Sequence, residues 1–153
     1  MIQRIQTLYL SLVVIFSALL INVPFLNITT VSSVHEFRFS GIYPITGSEV
    51  DTVVNSYPMA LIIVLIPLIT LITIFLFRNR KLQIILTILT MILILVSVLL
   101  GIYYAISFTN SIAGEIFPNI KVAFPLISLI LLYMAYRGIR HDENLVKSYD
   151  RLR

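Results

Sequence analysis

A run of residues without a charged side chain, at positions 82–114, constrains the fold of this chain more than any other feature. A helix that crosses the hydrocarbon core of a bilayer needs about 20 apolar residues, so this run is long enough to span a membrane. Charged residues make up 12% of the chain and hydrophobic residues 59%, whereas about 25% of residues are charged in a soluble domain. Because so few charges cannot cover a soluble core, we predict a single-domain integral membrane protein, residues 1–153.

Four apolar segments, uncharged except for Lys121 and Arg137 near the two ends of the last one, have the length and composition of membrane spans. They cover residues 5–23, 58–77, 82–107 and 119–137. The pattern predicts an all-α membrane protein, a four-transmembrane-helix bundle followed by a helical tail at 138–153. The first segment follows Arg4 and has the outline of a cleaved signal peptide, but residues 19–22 lack the small side chains of a peptidase site. We therefore interpret it as a retained helix.

The connection between the first and second spans has the composition of a strand. Phe37 and Phe39 alternate with polar side chains at positions 36, 38 and 40, which is the period-two pattern of a half-buried strand. We predict a small extracytoplasmic loop here. It either forms a β-hairpin on the mouth of the bundle or has no regular structure.

Lysine and arginine are distributed unequally between the two sides of the predicted bundle. Nine lie at the N-terminus, in the turn between the second and third spans, or in the tail: Arg4, Arg78, Arg80, Lys81, Arg137, Arg140, Lys147, Arg151 and Arg153. Only Arg38 and Lys121 fall on the other side. Since basic residues accumulate on the cytoplasmic side of membrane proteins, we expect both termini in the cytoplasm.

Pro67 lies in the middle of the second span. It has no N–H for the carbonyl of Ile63 and is expected to kink the helix. The kink has two interpretations, a packing feature or the hinge of a broken-helix site of the kind found in transporters. The third span carries small or hydroxyl side chains on one face, which predicts close helix packing. These residues are Thr87, Thr90, Ser97 and Gly101.

The sequence offers little for catalysis, and we predict no enzyme, no cofactor and no metal site. The chain has no cysteine, and the predicted orientation puts His35 and His141 on opposite sides of the membrane. We expect His35, beside Glu36, to be a solvated loop residue and His141 to be a surface residue of the tail. Glu49 and Asp51 are interpreted as loop residues without a binding role. No ionisable residue lies clearly within a predicted span, which disfavours a coupled pump.

Two segments are candidate contact sites. Arg78, Arg80 and Lys81 form a basic turn that is either a topology signal or a contact for anionic lipid headgroups. The tail carries an apolar helical face and three arginines suited to carboxylates on a partner. The face comprises Leu145, Val146, Tyr149 and Leu152, and the arginines are Arg140, Arg151 and Arg153. The tail is therefore either a solvated helix end or a docking helix.

Both ends of the chain carry a recognisable motif, MIQRIQTLYL at residues 1–10 and DENLVKSYDRLR at residues 142–153. With the span count and order, these motifs resemble a family of small four-span bacterial membrane proteins catalogued as a domain of unknown function. The resemblance covers the full length and implies the inner membrane of a Gram-negative bacterium. It implies no activity and no catalytic residues. The layout is also similar to claudin-like proteins, in architecture alone.

The sequence favours a non-enzymatic accessory or scaffolding subunit of an inner-membrane complex, docked through its tail. The expected partners are the lipid bilayer and another membrane protein or a second copy of the chain. Nucleic acid is not expected, because the tail mixes basic and acidic residues. The alternative is a small oligomeric transporter or channel with Pro67 as its hinge. No small-molecule substrate is identifiable from the sequence.

Overall fold

The computed structural model describes residues 2–21, 23–31, 33–46, 54–77 and 79–151, which form four helices and one antiparallel sheet. The helices are α1 (Ile2–Leu20), α2 (Tyr57–Phe75), α3 (Arg80–Ile112) and α4 (Ala123–Arg151). The strands are β1 (Leu26–Thr29), β2 (Val34–Arg38), β3 (Gly41–Thr46), β4 (Val54–Asn55) and β5 (Glu115–Pro118). The expected all-α class is therefore wrong in one respect, because the chain also builds a sheet.

The helices have the length and composition of membrane-crossing segments. Tyr57–Phe75, Arg80–Ile112 and Ile120–Val146 are each long and apolar enough to cross a bilayer, and α1 has a shorter apolar stretch at Ile5–Leu20. Large hydrophobic side chains such as Leu61 cover the outside of the bundle. A soluble monomer rarely exposes so extensive an apolar surface, so this surface is suited to lipid.

Each helix packs against two neighbours, in the cyclic order α1, α2, α3, α4. The beginnings of α1 and α3 lie at one end of the bundle with the end of α2 and the second half of α4, and we name this the polar end. The sheet covers the opposite end, which we name the sheet end. The predicted small-residue face of α3 is confirmed, since Thr87, Thr90, Ser97 and Gly101 are all buried.

The sheet has the strand order β4-β3-β2-β1-β5, and all its pairings are antiparallel. The alternation read from the sequence is confirmed, because Phe37 and Phe39 are buried against the helices. On the opposite face, Glu36 accepts an ion pair from Arg38 at 2.8 Å. The sheet is larger than a hairpin because β5 comes from the connection between α3 and α4 and pairs with β1.

Gly41 fits the close approach of β3 to β4. Its φ is 157°, and a Cβ atom there would lie 2.6 Å from the carbonyl oxygen of Val54. A residue with a side chain would force these two strands apart, so the paired edge of the sheet depends on glycine at this position.

His35 is not the solvated residue that the sequence suggested. The alternation of β2 puts it on the same face as Phe37, and only 7% of its surface is exposed. Its Nε2 lies 2.9 Å from the Ser33 hydroxyl, and its ring packs edge-on against Phe108 with centroids 5.3 Å apart. The prediction failed because it treated the residue as part of a loop rather than of a strand.

The helix ends differ from the predicted spans. α3 continues to Ile112, and α4 begins at Ala123 after a single 3₁₀ turn at Ile120–Val122, since Pro118 belongs to β5. α4 then continues without a break to Arg151, so the predicted tail is the end of this helix. Gly138 lies within this continuous helix.

α2 continues through Pro67. The hydroxyl of Thr70 donates to the carbonyl of Ile66 at 2.7 Å. The kink at Pro67 remains a prediction.

Candidate functional site

A buried hydrogen bond joins the first and last helices at the polar end. Gln6 Nε2 donates to Asp142 Oδ2 at 2.8 Å, and the two residues are only 5% and 8% exposed. A buried carboxylate needs a donor, and the Gln6 amide supplies one. This bond therefore fixes both the position of α4 along α1 and the direction in which each helix faces.

Two further hydrogen bonds bring α2 and α3 into the same arrangement. Arg80 donates through Nη1 to the backbone carbonyl of Asp142 at 2.7 Å, and Gln83 Nε2 donates to the carbonyl of Thr73 at 3.1 Å. We name Gln6, Thr73, Arg80, Gln83 and Asp142 the polar clasp. All four helices contribute a partner, so the polar clasp ties the whole bundle together at this end.

Gly138 allows α1 and α4 to approach each other closely beside the polar clasp. A Cβ atom at this position would lie 3.0 Å from Cγ of Gln6. Glycine therefore makes room for the Gln6 side chain that reaches Asp142. This contact gives Gly138 a packing role in α4.

One face of α4 is buried up to the polar clasp and becomes exposed beyond it. This face, which we name the α4 stripe, consists of positions that alternate by four and three residues: Ser128, Leu132, Ala135, Ile139, Asp142 and Val146. The first five are buried, but Val146 is 45% exposed. The adjacent Leu145 is also exposed, so an apolar surface projects from the polar end.

The structure describes the other candidate docking residues of the tail to different extents. Arg140 is exposed and donates to the hydroxyl of Tyr136 at 2.7 Å, so it makes a contact within its own helix. Tyr149 and Arg151 lie on the last turns of α4, where only the backbone is described. Leu152 and Arg153 lie outside the described residues, as do Glu49 and Asp51 of the first connection.

The basic turn is likewise divided. Lys81 is exposed in the first turn of α3, whereas Arg80 is half-buried through its bond to α4. Arg78 lies outside the described residues. His141 is exposed, as expected for a surface residue, and borders an open groove of about 700 Å³ between α1 and α4. Within the described ranges, no group of three or more acidic or histidine side chains could hold a metal ion.

Sequence reasoning did not single out Gln6, Gln83 or the inward position of Asp142. Two signals were available. Gln6 and Gln83 are amides among apolar residues of membrane-type helices, where polar side chains form interhelical hydrogen bonds. Asp142 follows Ile139 by three residues and Leu132 by ten, so it continues the periodicity of the buried face of α4.

Comparison with known families identifies the family of this chain. The family model described as Domain of unknown function (DUF4293) matches residues 2–152. The chain belongs to the DUF4293 family. No curated protein matches it. In this DUF4293 protein, the Gln6–Asp142 bond joins residues 1–10 to residues 142–153, near the two ends of the chain.

Proposed function

We propose that this chain is a non-enzymatic accessory or scaffolding subunit of a bacterial inner-membrane complex, which docks on a partner membrane protein through the end of α4. The observation that carries the proposal is the α4 stripe, which is buried up to Asp142 and exposed at Val146. When an apolar helix face extends beyond the bundle that buries it, the exposed part can pack into a groove on a second protein.

The proposal includes a topology with four spans and both termini in the cytoplasm. Its support is the excess of lysine and arginine at the polar end and the alternating direction of the helices, which puts both connections that contribute to the sheet at the other end. In this arrangement α1 also crosses the membrane, in addition to α2, α3 and α4. The end of α4 projects into the cytoplasm.

The expected partner surface is a groove that is apolar along its floor and acidic along its rim. Val146 and Leu145 supply apolar contact area, while Arg140 offers a charged group on the neighbouring turn. Arginine is well suited to bidentate contacts with carboxylates. The hydrogen bond from Gln6 to Asp142 sets the direction of the helix one turn before this surface, so little ordering of the helix is needed on binding.

The experiment compares partner retention by two truncated chains and two point variants after purification in mild detergent. A chain ending after Asn144 keeps Asp142 and the polar clasp but lacks the docking surface, whereas a chain ending after His141 loses both. Val146→Glu tests the surface in the full chain. Val31→Glu is the matched control, because Val31 is an exposed valine at the sheet end.

We expect the full chain and Val31→Glu to co-purify with one membrane protein, identified by mass spectrometry. The chain ending after Asn144 and Val146→Glu lose that partner while remaining in the membrane fraction with unchanged helix content. Retention of every partner by both of these chains contradicts docking through the end of α4.

A small oligomeric transporter or channel remains the second hypothesis. Several buried hydroxyls donate to carbonyls of their own helices, as Thr87 does to the carbonyl of Gln83. This observation does not favour a polar solute path through the bundle. Solute flux into liposomes that contain the purified protein distinguishes the two hypotheses.

A further inference from the structure

An apolar cavity of about 300 Å³ lies in the half of the bundle nearest the sheet. Its inner wall is formed by buried side chains of α2 and α3, including Ile63, Ile66 and Ile94. Ligand pockets in proteins have volumes of roughly 300–1,000 Å³, so this cavity is large enough for a ligand. An interior packs to the density of an organic crystal, and a void of this size left empty destabilises the fold.

The two hydroxyl groups of the cavity wall are bonded within their own helices. The hydroxyl of Ser97 donates to the carbonyl of Ile94 at 2.7 Å, and that of Ser17 donates to the carbonyl of Val13 at 2.7 Å. Water in a cavity needs two to four polar partners, which this wall does not offer. The chemistry of the wall therefore suits a hydrocarbon.

The cavity opens sideways between α3 and α4. Ile102 and Leu126 line it and are also among the exposed residues of the outer surface. Along α3 its lining runs from Ile94 to Ile106, which corresponds to about 18 Å of helix. One leaflet of a bilayer has a hydrocarbon depth of about 15 Å, half of the core. The cavity thus has the depth of one lipid chain and faces the place where such chains lie.

Lys121 lines the cavity at the sheet end. Its ammonium group makes no hydrogen bond or ion pair with another residue of the described ranges. It lies in the 3₁₀ turn just before α4, at the level where the apolar part of the helix begins. A cation at this level is placed for the phosphate of a lipid headgroup.

We propose that the cavity is a binding site for one anionic phospholipid of the leaflet at the sheet end. One acyl chain enters between α3 and α4 and fills the space beside Ile94 and Ile63. The phosphate group of the same lipid pairs with the ammonium of Lys121. The lipid completes the packing of the bundle, independently of any partner at the polar end.

The first experiment measures lipid retained by the purified full-length chain. The protein is incubated with phosphatidylglycerol or with phosphatidylcholine of identical acyl chains, and bound lipid is counted by native mass spectrometry. Ser97→Leu fills the cavity and Lys121→Gln removes the cation. Their matched controls are Ser11→Leu, whose hydroxyl also donates to its own helix, and Arg38→Gln at the sheet end.

We expect the unaltered chain and both controls to retain one phosphatidylglycerol per chain, favoured over phosphatidylcholine by about fivefold, the factor that one basic residue near an anionic surface supplies. Lys121→Gln retains both lipids equally, and Ser97→Leu retains neither. Retention by Ser97→Leu at the level of the unaltered chain overturns the site. A preference for phosphatidylglycerol that survives Lys121→Gln overturns the role of Lys121.

A second experiment uses the unaltered chain and does not depend on how the variants fold. A phosphatidylglycerol with a diazirine in the middle of one acyl chain is photolysed in bilayers that contain the protein. The expected label is concentrated on the α3 and α4 residues of the cavity, such as Val98 and Leu126. Label spread evenly to Leu61 and Ile85 on the outer surface indicates surrounding lipid only and contradicts the proposal. Loss of label from Leu126 in a protein that purifies as a dimer shows that a second copy covers the mouth, which also contradicts it.

Discussion

Gln6 is an amide side chain in a predominantly apolar helix, and its value to the fold lies in one bond. Its partner Asp142 is buried, so the energetic question is what happens to a carboxylate that loses its donor. A hydrogen bond to a charged group contributes about 1.5–3 kcal/mol, and a buried acceptor left without a donor destabilises the protein by a similar amount. Replacing both partners by apolar groups is far less damaging than replacing one.

At this scale we predict the effect of removing the amide. Gln6→Leu lowers the free energy of unfolding by about 1.5–3 kcal/mol, because it leaves the Asp142 carboxylate without its donor. The double variant Gln6→Leu, Asp142→Leu recovers most of this loss. The free energies of unfolding of Gln6→Leu, Asp142→Leu and the double variant are measured in detergent by circular dichroism. A double variant that is as unstable as the sum of the two single variants would show that the bond contributes nothing.

Among the elements, the sheet shows most clearly where sequence reasoning succeeds and where it stops. The alternation around Phe37 predicted a strand correctly, because a period of two depends only on local geometry. β5 was not predicted, since four residues ending in Pro118 have no detectable period and pair with a strand that is almost 90 residues earlier in the chain. Pairing between distant segments is invisible to a local pattern.

The same contrast applies to the helices and the candidate site. Apolar runs identified the helices, and the small-residue face around Thr90 was predicted correctly. The helical tail that begins at Gly138 was predicted, but the packing role of Gly138 was not, since glycine alone is unfavourable within a helix. What overrides this preference is the contact with Gln6, 132 positions away. The cavity beside Ile94 arises from all four helices together, and no single segment encodes it.

The two faces of the sheet are expected to differ in energetic weight. Phe37 lies on the inner face with none of its surface exposed, whereas Phe117 on β5 is largely exposed. Phe37→Ala lowers the stability by about 3–5 kcal/mol through the cavity that it leaves. Phe117→Ala changes it by less than about 0.5 kcal/mol. Thermal unfolding of the two variants in the same detergent makes the comparison, and equal losses would show that the sheet does not pack on the helices as described.

The whole molecule has a sheet at one end and the polar clasp at the other, so the proposed topology is testable with one residue at each end. The chain has no cysteine, and single cysteines are therefore unambiguous reporters. Val31 lies between β1 and β2, and Asn144 lies near the end of α4; both are exposed.

We predict that Val31→Cys reacts, in spheroplasts with an intact inner membrane, with a maleimide that cannot cross the bilayer. Asn144→Cys reacts only after the membrane has been permeabilised. The unaltered chain supplies the background. Reaction of both variants before permeabilisation, or of Asn144→Cys alone, rejects a cytoplasmic position for the end of α4.

The long separation between bonded partners sets an order of events during synthesis. Gln6 and Asp142 are 136 residues apart. Likewise, β1 pairs with β5, which is synthesised much later. A ribosome therefore delivers α1 and β1 long before either has its partner. Until α4 has been made, the amide of Gln6 and one edge of β1 lack the hydrogen bonds that they form in the finished fold. An incomplete chain is thus marked at both ends of the bundle by unsatisfied polar groups, which distinguish it from the finished protein.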